Sequence, residues 1–192
     1  MHMTDLGEIS LSLSLVVAIY AAVVSFAGGV KNNDVLVRSG QNAFFSLFVL
    51  NTVVAAVLMR AFYAHDFSIE YVYNYSNRDL SPFYTFSAFW AGQKGSLLLW
   101  SWMLGLFGSI AMLQNRATNR RLMPYVVGII SSTMVLFSVL MVFASPVFSL
   151  LPSIPADGYG LNPPNFTPQD GEIDDWISDH LRGLLIPKEP HQ

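Results

Sequence analysis

The chain has no cysteine. That absence removes disulfides, thiolate metal sites and cysteine nucleophiles together. Charge is also scarce. Of 192 residues only 12% are Asp, Glu, Lys or Arg, about half the share usual in a soluble domain. The net charge of -3 leaves no basic surface for nucleic acid, so no nucleic-acid partner is expected. No Lys or Arg precedes Lys31, and the N-terminus carries Asp5 and Glu8 instead. The first apolar run therefore lacks the positive lead of a secretory signal and reads as a retained helix. Catalytic patterns are missing as well. AGQKGS (residues 91–96) holds Gly and Lys but neither the spacing nor the preceding strand of a phosphate loop. There is no HExxH, no carboxylate pair within an apolar run and no Ser/His/Asp set at recognisable spacing. No catalytic residue and no metal ligand set is expected from this chain.

Hydrophobic residues, by contrast, make up 53% of the chain. They gather in four runs, at about 9–30, 39–59, 96–113 and 124–145, and none of these contains a charged residue. A membrane-crossing helix needs about 20 mostly apolar residues. The sequence thus predicts an all-α integral membrane protein with about four transmembrane helices, in a module spanning 1–145. Lys31 and Arg38 follow the first run, and Arg116, Arg120 and Arg121 follow the third. Basic residues in short loops stay on the cytoplasmic side. The N-terminus, the long connection 60–95 and the C-terminal tail are then expected outside. With no Arg/Ser-rich transit segment in the sequence, a bacterial inner membrane is the expected location.

The connection 60–95 is crowded with aromatics, among them Tyr63, Phe67, Tyr71, Tyr73, Tyr75, Phe83 and Tyr84. Such rings favour the headgroup layer, as a plain interfacial belt or as a docking surface. Gly92 and Gly95 break the chain before the third run, with Ser96 a candidate N-cap. The tail 146–192 opens rich in Pro, Gly and Asn. It then places Ile173, Trp176, Ile177, Leu181 and Leu184 at helical spacing, predicting a short amphipathic helix at about 173–185. Within the runs the polar residues are Ser, Thr and Asn, such as Ser14, Asn51, Thr52, Ser131 and Ser138. These suit helix packing, and the lack of a deep charge argues against a pump or antiporter. None of the four histidines falls in an apolar run. His65, beside Asp66 at the end of the second run, is the candidate haem ligand or proton carrier, against the plainer reading of an interfacial polar group.

Residues 83–102, FYTFSAFWAGQKGSLLLWSW, carry a resemblance. They are similar to the signature of the CcmF/NrfE group of cytochrome c-type biogenesis proteins, W-G/A-x-x-E/K-G-S-L-L-L-W. YVYNYSNRDL (71–80) and FASPVFSLLPSIPADGYGLNP (143–163) resemble the segments flanking it in that family, in the same order. The resemblance covers about residues 7–163. It implies a role in attaching haem to apocytochrome c on the outer face of the membrane. It marks Trp90, Gly92, Gly95, Ser96 and Trp100 as the external motif, structural or docking in role, with Lys94 at a position often acidic in relatives. The family's Trp-rich haem loop and haem-ligand histidines lie downstream of the matching part, so haem is expected through a partner chain. The expectation is the N-terminal module of a split haem lyase. Its partners would be a second polypeptide carrying the Trp-rich loop, a haem chaperone, apocytochrome c and the lipid bilayer. The alternatives are a truncated inactive relative and a membrane scaffold or transport-complex subunit.

Overall fold

The computed structural model describes residues 3–115 and 119–158. All of them lie in one compact unit, Met1–Gly160. The expected amphipathic helix at about 173–185 lies outside the described residues.

Six helices follow in order: α1 (Met3–Lys31), α2 (Asp34–Tyr63), α3 (Glu70–Tyr75), α4 (Pro82–Ala88), α5 (Gln93–Asn115) and α6 (Met123–Val139). A five-residue π turn, Leu140–Ala144, continues α6. Four of these are long and apolar enough to cross a membrane: α1, α2, α5, and α6 with its π turn. Among the described residues there is no strand, only one antiparallel bridge between Ile69 and Leu150.

The long helices alternate in direction. α2 and α6 touch across the middle of the bundle, α1 packs on both, and α5 packs on both from the other side. Close approach depends on small residues, as expected where lipid supplies no hydrophobic drive. Gly40 on α2 lies against Ser25 of α1, and Gly128 on α6 lies beneath the Phe26 ring.

The core has strata. One apolar cluster holds Leu11, Val54, Leu98 and Met141, toward the aromatic connection. The other holds Ala18, Leu47 and Met134, toward the basic loops. Between them in sequence, one on each long helix, sit the buried polar residues Ser14, Asn51, Ser101 and Ser138. Asn51 Nδ2 donates to Ser101 Oγ at 3.3 Å, joining α2 to α5. Trp102 Nε1 donates to Thr52 Oγ1 at 3.0 Å across the same pair of helices. Ser14, Ser46, Ser132 and Thr133 instead return their hydroxyls to carbonyls one turn back on their own helices.

Two local features differ from the sequence expectation. The loop expected to carry Lys31 and Arg38 is only Asn32 and Asn33, because both cations lie on helices. Asn33 Oδ1 accepts from the Val35 and Leu36 amides and starts α2 early. Asn32 adopts φ 48°, with Asn33 N–H on Gly28 O and Asn32 N–H on Gly29 O. That is a Schellman closure of α1, which Asn tolerates in the left-handed region. The second difference is that the connection 60–95 is folded: it contains α3 and α4, and α4 starts with Pro82 in its first turn.

A candidate docking site at the aromatic end of the bundle

α2 ends in the same way as α1, but with histidine at the turning position. His65 has φ 51°. Its N–H bonds Phe62 O, and the Asp66 N–H bonds Ala61 O. The strain at a non-glycine left-handed residue is held by this double closure. The His65 ring lies 5.9 Å from that of Phe67. Its Nδ1 is buried without a hydrogen-bond partner.

The turn delivers the chain to α3, whose Tyr71 is almost fully buried. Tyr71 packs edge-on to Phe62 at 5.6 Å and lies 4.8 Å from Tyr75. Its hydroxyl accepts from Gly92 N–H at 3.1 Å and faces the carbonyls of Phe89 (3.1 Å) and Gly92 (3.3 Å) as their donor. Burial pushes the phenol up to about 12, although the amides of Gly92 and Gly95 pull the other way. Tyr71 is thus the pin on which the turn before α5 is folded.

The glycines of the expected motif gain a physical reason from this pin. A Cβ on Gly95 would run into the Phe89 carbonyl oxygen and would stand 2.6 Å from Tyr71 Oη. A Cβ on Gly92 would enter the Tyr75 ring. Ser96 does not cap α5, since the helix starts three residues earlier at Gln93. Its N–H bonds Gly92 O at 3.0 Å and its hydroxyl donates to Trp90 O at 2.8 Å, closing the turn from inside. Lys94 Nζ meets Glu70 Oε2 at 2.7 Å, so α5 is tied to α3 by an ion pair as well.

The two tryptophans of the motif do not meet. Trp90, 38% exposed, stacks edge-on to Phe86 at 5.1 Å. With Phe89, Leu99, Trp102, Ala55 and Met59 it lines an apolar groove of about 300 Å³ between α2, α4 and α5. Trp100, 59% exposed, opens a separate apolar groove of about 390 Å³ with Met103, Phe107 and Ile130. His65 lines neither.

The segment after α6 closes over this end. Val147 and Phe148 are buried, and Gly7 of α1 leaves room for the Phe148 ring. Glu70 N–H bonds Ser149 O and Leu151 N–H bonds Ser68 O, both at 2.8 Å. Arg78 Nε donates to Ala156 O at 3.1 Å, its backbone N–H to Asp157 Oδ1 at 3.0 Å, and its guanidinium lies 5.7 Å over Phe67. These ties through Tyr71, Glu70 and Arg78 had no signal in the sequence beyond aromatic crowding. No spacing rule predicts which tyrosine turns inward.

A haem iron needs an axial nitrogen facing a slot wide enough for the macrocycle. Among the described residues the one histidine is His65. His65 lines neither apolar groove, and its Nδ1 is buried. The described residues do not fit a haem site of their own. What they build is an aromatic surface with two apolar grooves.

No family model matches the chain. Known proteins do. The cytochrome c-type biogenesis protein CcmF of Haemophilus influenzae is 33% identical over 160 residues, 83% of this chain and 25% of that protein. CcmF of Pseudomonas fluorescens is 33% identical over 160 residues, again 83% of this chain and 24% of its own length. The biogenesis protein NrfE of Haemophilus influenzae is 29% identical over 159 residues. Among solved structures, the cytochrome c haem lyase CcmF superposes with a TM-score of 0.70 at 22% identity, over 78% of this chain and 25% of that one, a likeness of fold. The chain spans about a quarter of the length of the curated relatives it matches. By these similarities it is a relative of the CcmF, NrfE and CycK cytochrome c-type biogenesis proteins.

Proposed function

We propose that this chain serves cytochrome c maturation as a membrane module of a haem lyase complex, and that it assembles and positions the complex rather than holding the haem. The observation that carries this reading is the similarity to CcmF over 83% of the chain. It coincides with the segment that builds the pinned turn at Gly92 to Ser96. The haem-handling groups of such a complex, a Trp-rich loop and histidine ligands, would come from polypeptide outside the described residues, as a second chain or as further sequence. Haem reaches the module only through that partner.

The surface supports a partner. Only about a third of each spanning window is buried inside the bundle. The grooves beside Trp90 and Trp100 are apolar and flank α5 on two sides. In lipid, helices associate by shape and small residues, and these grooves offer the shape. The aromatic end would face the periplasm, where the haem chaperone delivers and apocytochrome c is modified. Lys31, Arg38, Arg120 and Arg121 gather at the other end, which supports that orientation in a bacterial inner membrane.

The test is purification of the tagged chain from its host in mild detergent, with identification of bound proteins and an absorption spectrum. Recovery with a polypeptide carrying the Trp-rich loop, and with haem, supports the proposal. Recovery alone and colourless sinks it, and favours an inactive relative. Recovery with an unrelated transport or redox complex favours the scaffold reading.

A further inference from the structure

At the basic end the turn between α1 and α2 meets the start of α6 around a polar recess of about 270 Å³. Asp34, Val37, Arg38 and Gln41 of α2 line one side, and Arg120 and Met123 the other. The side chains of Arg38, Arg120 and Asp34 are exposed. None has an ion-pair partner, and the only ion pair among the described residues is Lys94 with Glu70 at the opposite end. Two guanidiniums and one carboxylate therefore share a concave space without neutralising one another. The recess also sits where the apolar spans begin, with Gly29 of α1 packed on Pro124 and Tyr125 just below it. From Gln41 a smaller cleft continues one turn deeper, along Asn42, Phe45, Met112 and Leu113 between α2 and α5.

We infer that this recess binds the headgroup of an aminophospholipid, a phosphodiester linked to a primary amine. Arg38 and Arg120 would hold the phosphate oxygens, since guanidinium presents paired donors that match a phosphate. Asp34 would accept from the amine. A free phosphate ion uses the arginines but leaves the carboxylate facing it, a repulsive contact. A lipid headgroup satisfies all three charges at the level where the apolar spans begin. Ordinary basic residues scattered at a membrane rim would need neither the carboxylate nor the shared recess.

The experiment uses the full chain in detergent, stripped of native lipid and offered phosphatidylethanolamine, phosphatidylcholine or inorganic phosphate, with retained lipid counted by native mass spectrometry. Retention of phosphatidylethanolamine is expected to exceed that of phosphatidylcholine, whose methylated amine cannot donate. The double variant R38Q/R120Q is expected to lower retention of phosphatidylethanolamine about tenfold, the loss of roughly one charge-assisted hydrogen bond's energy. Asp34→Asn is expected to erase the preference between the two lipids. Arg121→Gln, outside the recess, is the control and should leave retention unchanged. Circular dichroism confirms that the variants stay folded. Equal retention by the double variant overturns the site. Equal retention of both lipids by the parent chain overturns the amine contact. Retention of inorganic phosphate equal to that of phosphatidylethanolamine shows a simple anion site and overturns the lipid assignment.

Discussion

Replacing Gly95 with alanine tests the pinned turn most directly. On an ordinary helix that exchange stabilises by up to about 1 kcal/mol, because alanine restricts the unfolded chain. Here the new methyl meets the Phe89 carbonyl oxygen, which is backbone and cannot swing aside, and it stands 2.6 Å from Tyr71 Oη. Relief requires α5 to move off α4 or the Tyr71 hydroxyl to leave Phe89 and Gly92. Overpacking of this kind costs about 1–3 kcal/mol, and each hydrogen bond lost adds about 1 kcal/mol. The net expectation is destabilisation by about 2 kcal/mol, a fall in midpoint of roughly 4–8 °C for a chain of this size. Thermal unfolding in mild detergent reads the shift. Amide exchange should place the loosening in residues 70–96. Gly105→Ala is the comparison, because its nearest obstacles are Phe48 (a ring carbon at 2.9 Å and its Cβ at 3.4 Å) and the Met134 methyl at 3.4 Å, side chains rather than backbone. It should change stability by less than about 1 kcal/mol. If Gly95→Ala is as stable as the parent, the pinned turn is not rigid and the reasoning fails.

Further tests follow from neighbouring contacts. Tyr71 should make stability fall at high pH. Its phenol is pushed from 10 up to about 12 in the fold, so its contribution is full below pH 10 and is lost as pH rises through 12. The loss is about 2–3 kcal/mol, and Tyr71→Phe should flatten it in alkaline unfolding curves while lowering stability at pH 7 by about 1–3 kcal/mol. His65→Gly should raise the unfolding midpoint, since a left-handed non-glycine residue costs about 1 kcal/mol; a lower midpoint would mean that the imidazole holds something the turn needs. Asn51→Ala should cost about 1–3 kcal/mol by leaving a void and an unpaired Ser101 within the bundle, read by denaturant titration; a neutral result would show that the layer is wet or dispensable. Arg78→Ala should expose residues 150–158 to limited proteolysis while leaving the helical content intact by circular dichroism.

Four long helices were legible because lipid demands continuous apolar length, and composition alone reveals that. Their ends were less so. Asp34 and Arg38 on α2 look like loop residues by charge, but Asn33 caps the helix before them, and capping outweighs a local count of charges. The short helices α3 and α4 were hidden inside an aromatic stretch with no clean period. Gly92 and Gly95 stood out as breaks, yet the reasons for them lie in Tyr75, Tyr71 and the Phe89 carbonyl, which only the fold brings against them. Such reasons are tertiary. Trp90 and Trp100 look like a pair in the motif, but ten residues of turn and helix place them in different grooves.

The bridge between Ile69 and Leu150, with Arg78 on Ala156 and Asp157, joins two stretches that are far apart along the chain. Damage to one is therefore felt by the other. A lesion in the connection after α2 should loosen the exit from α6, and tension applied beyond Gly158 should reach α3 before it reaches the long helices. The stretch up to Gly158 is therefore anchored on the connection after α2 as well as on the end of α6.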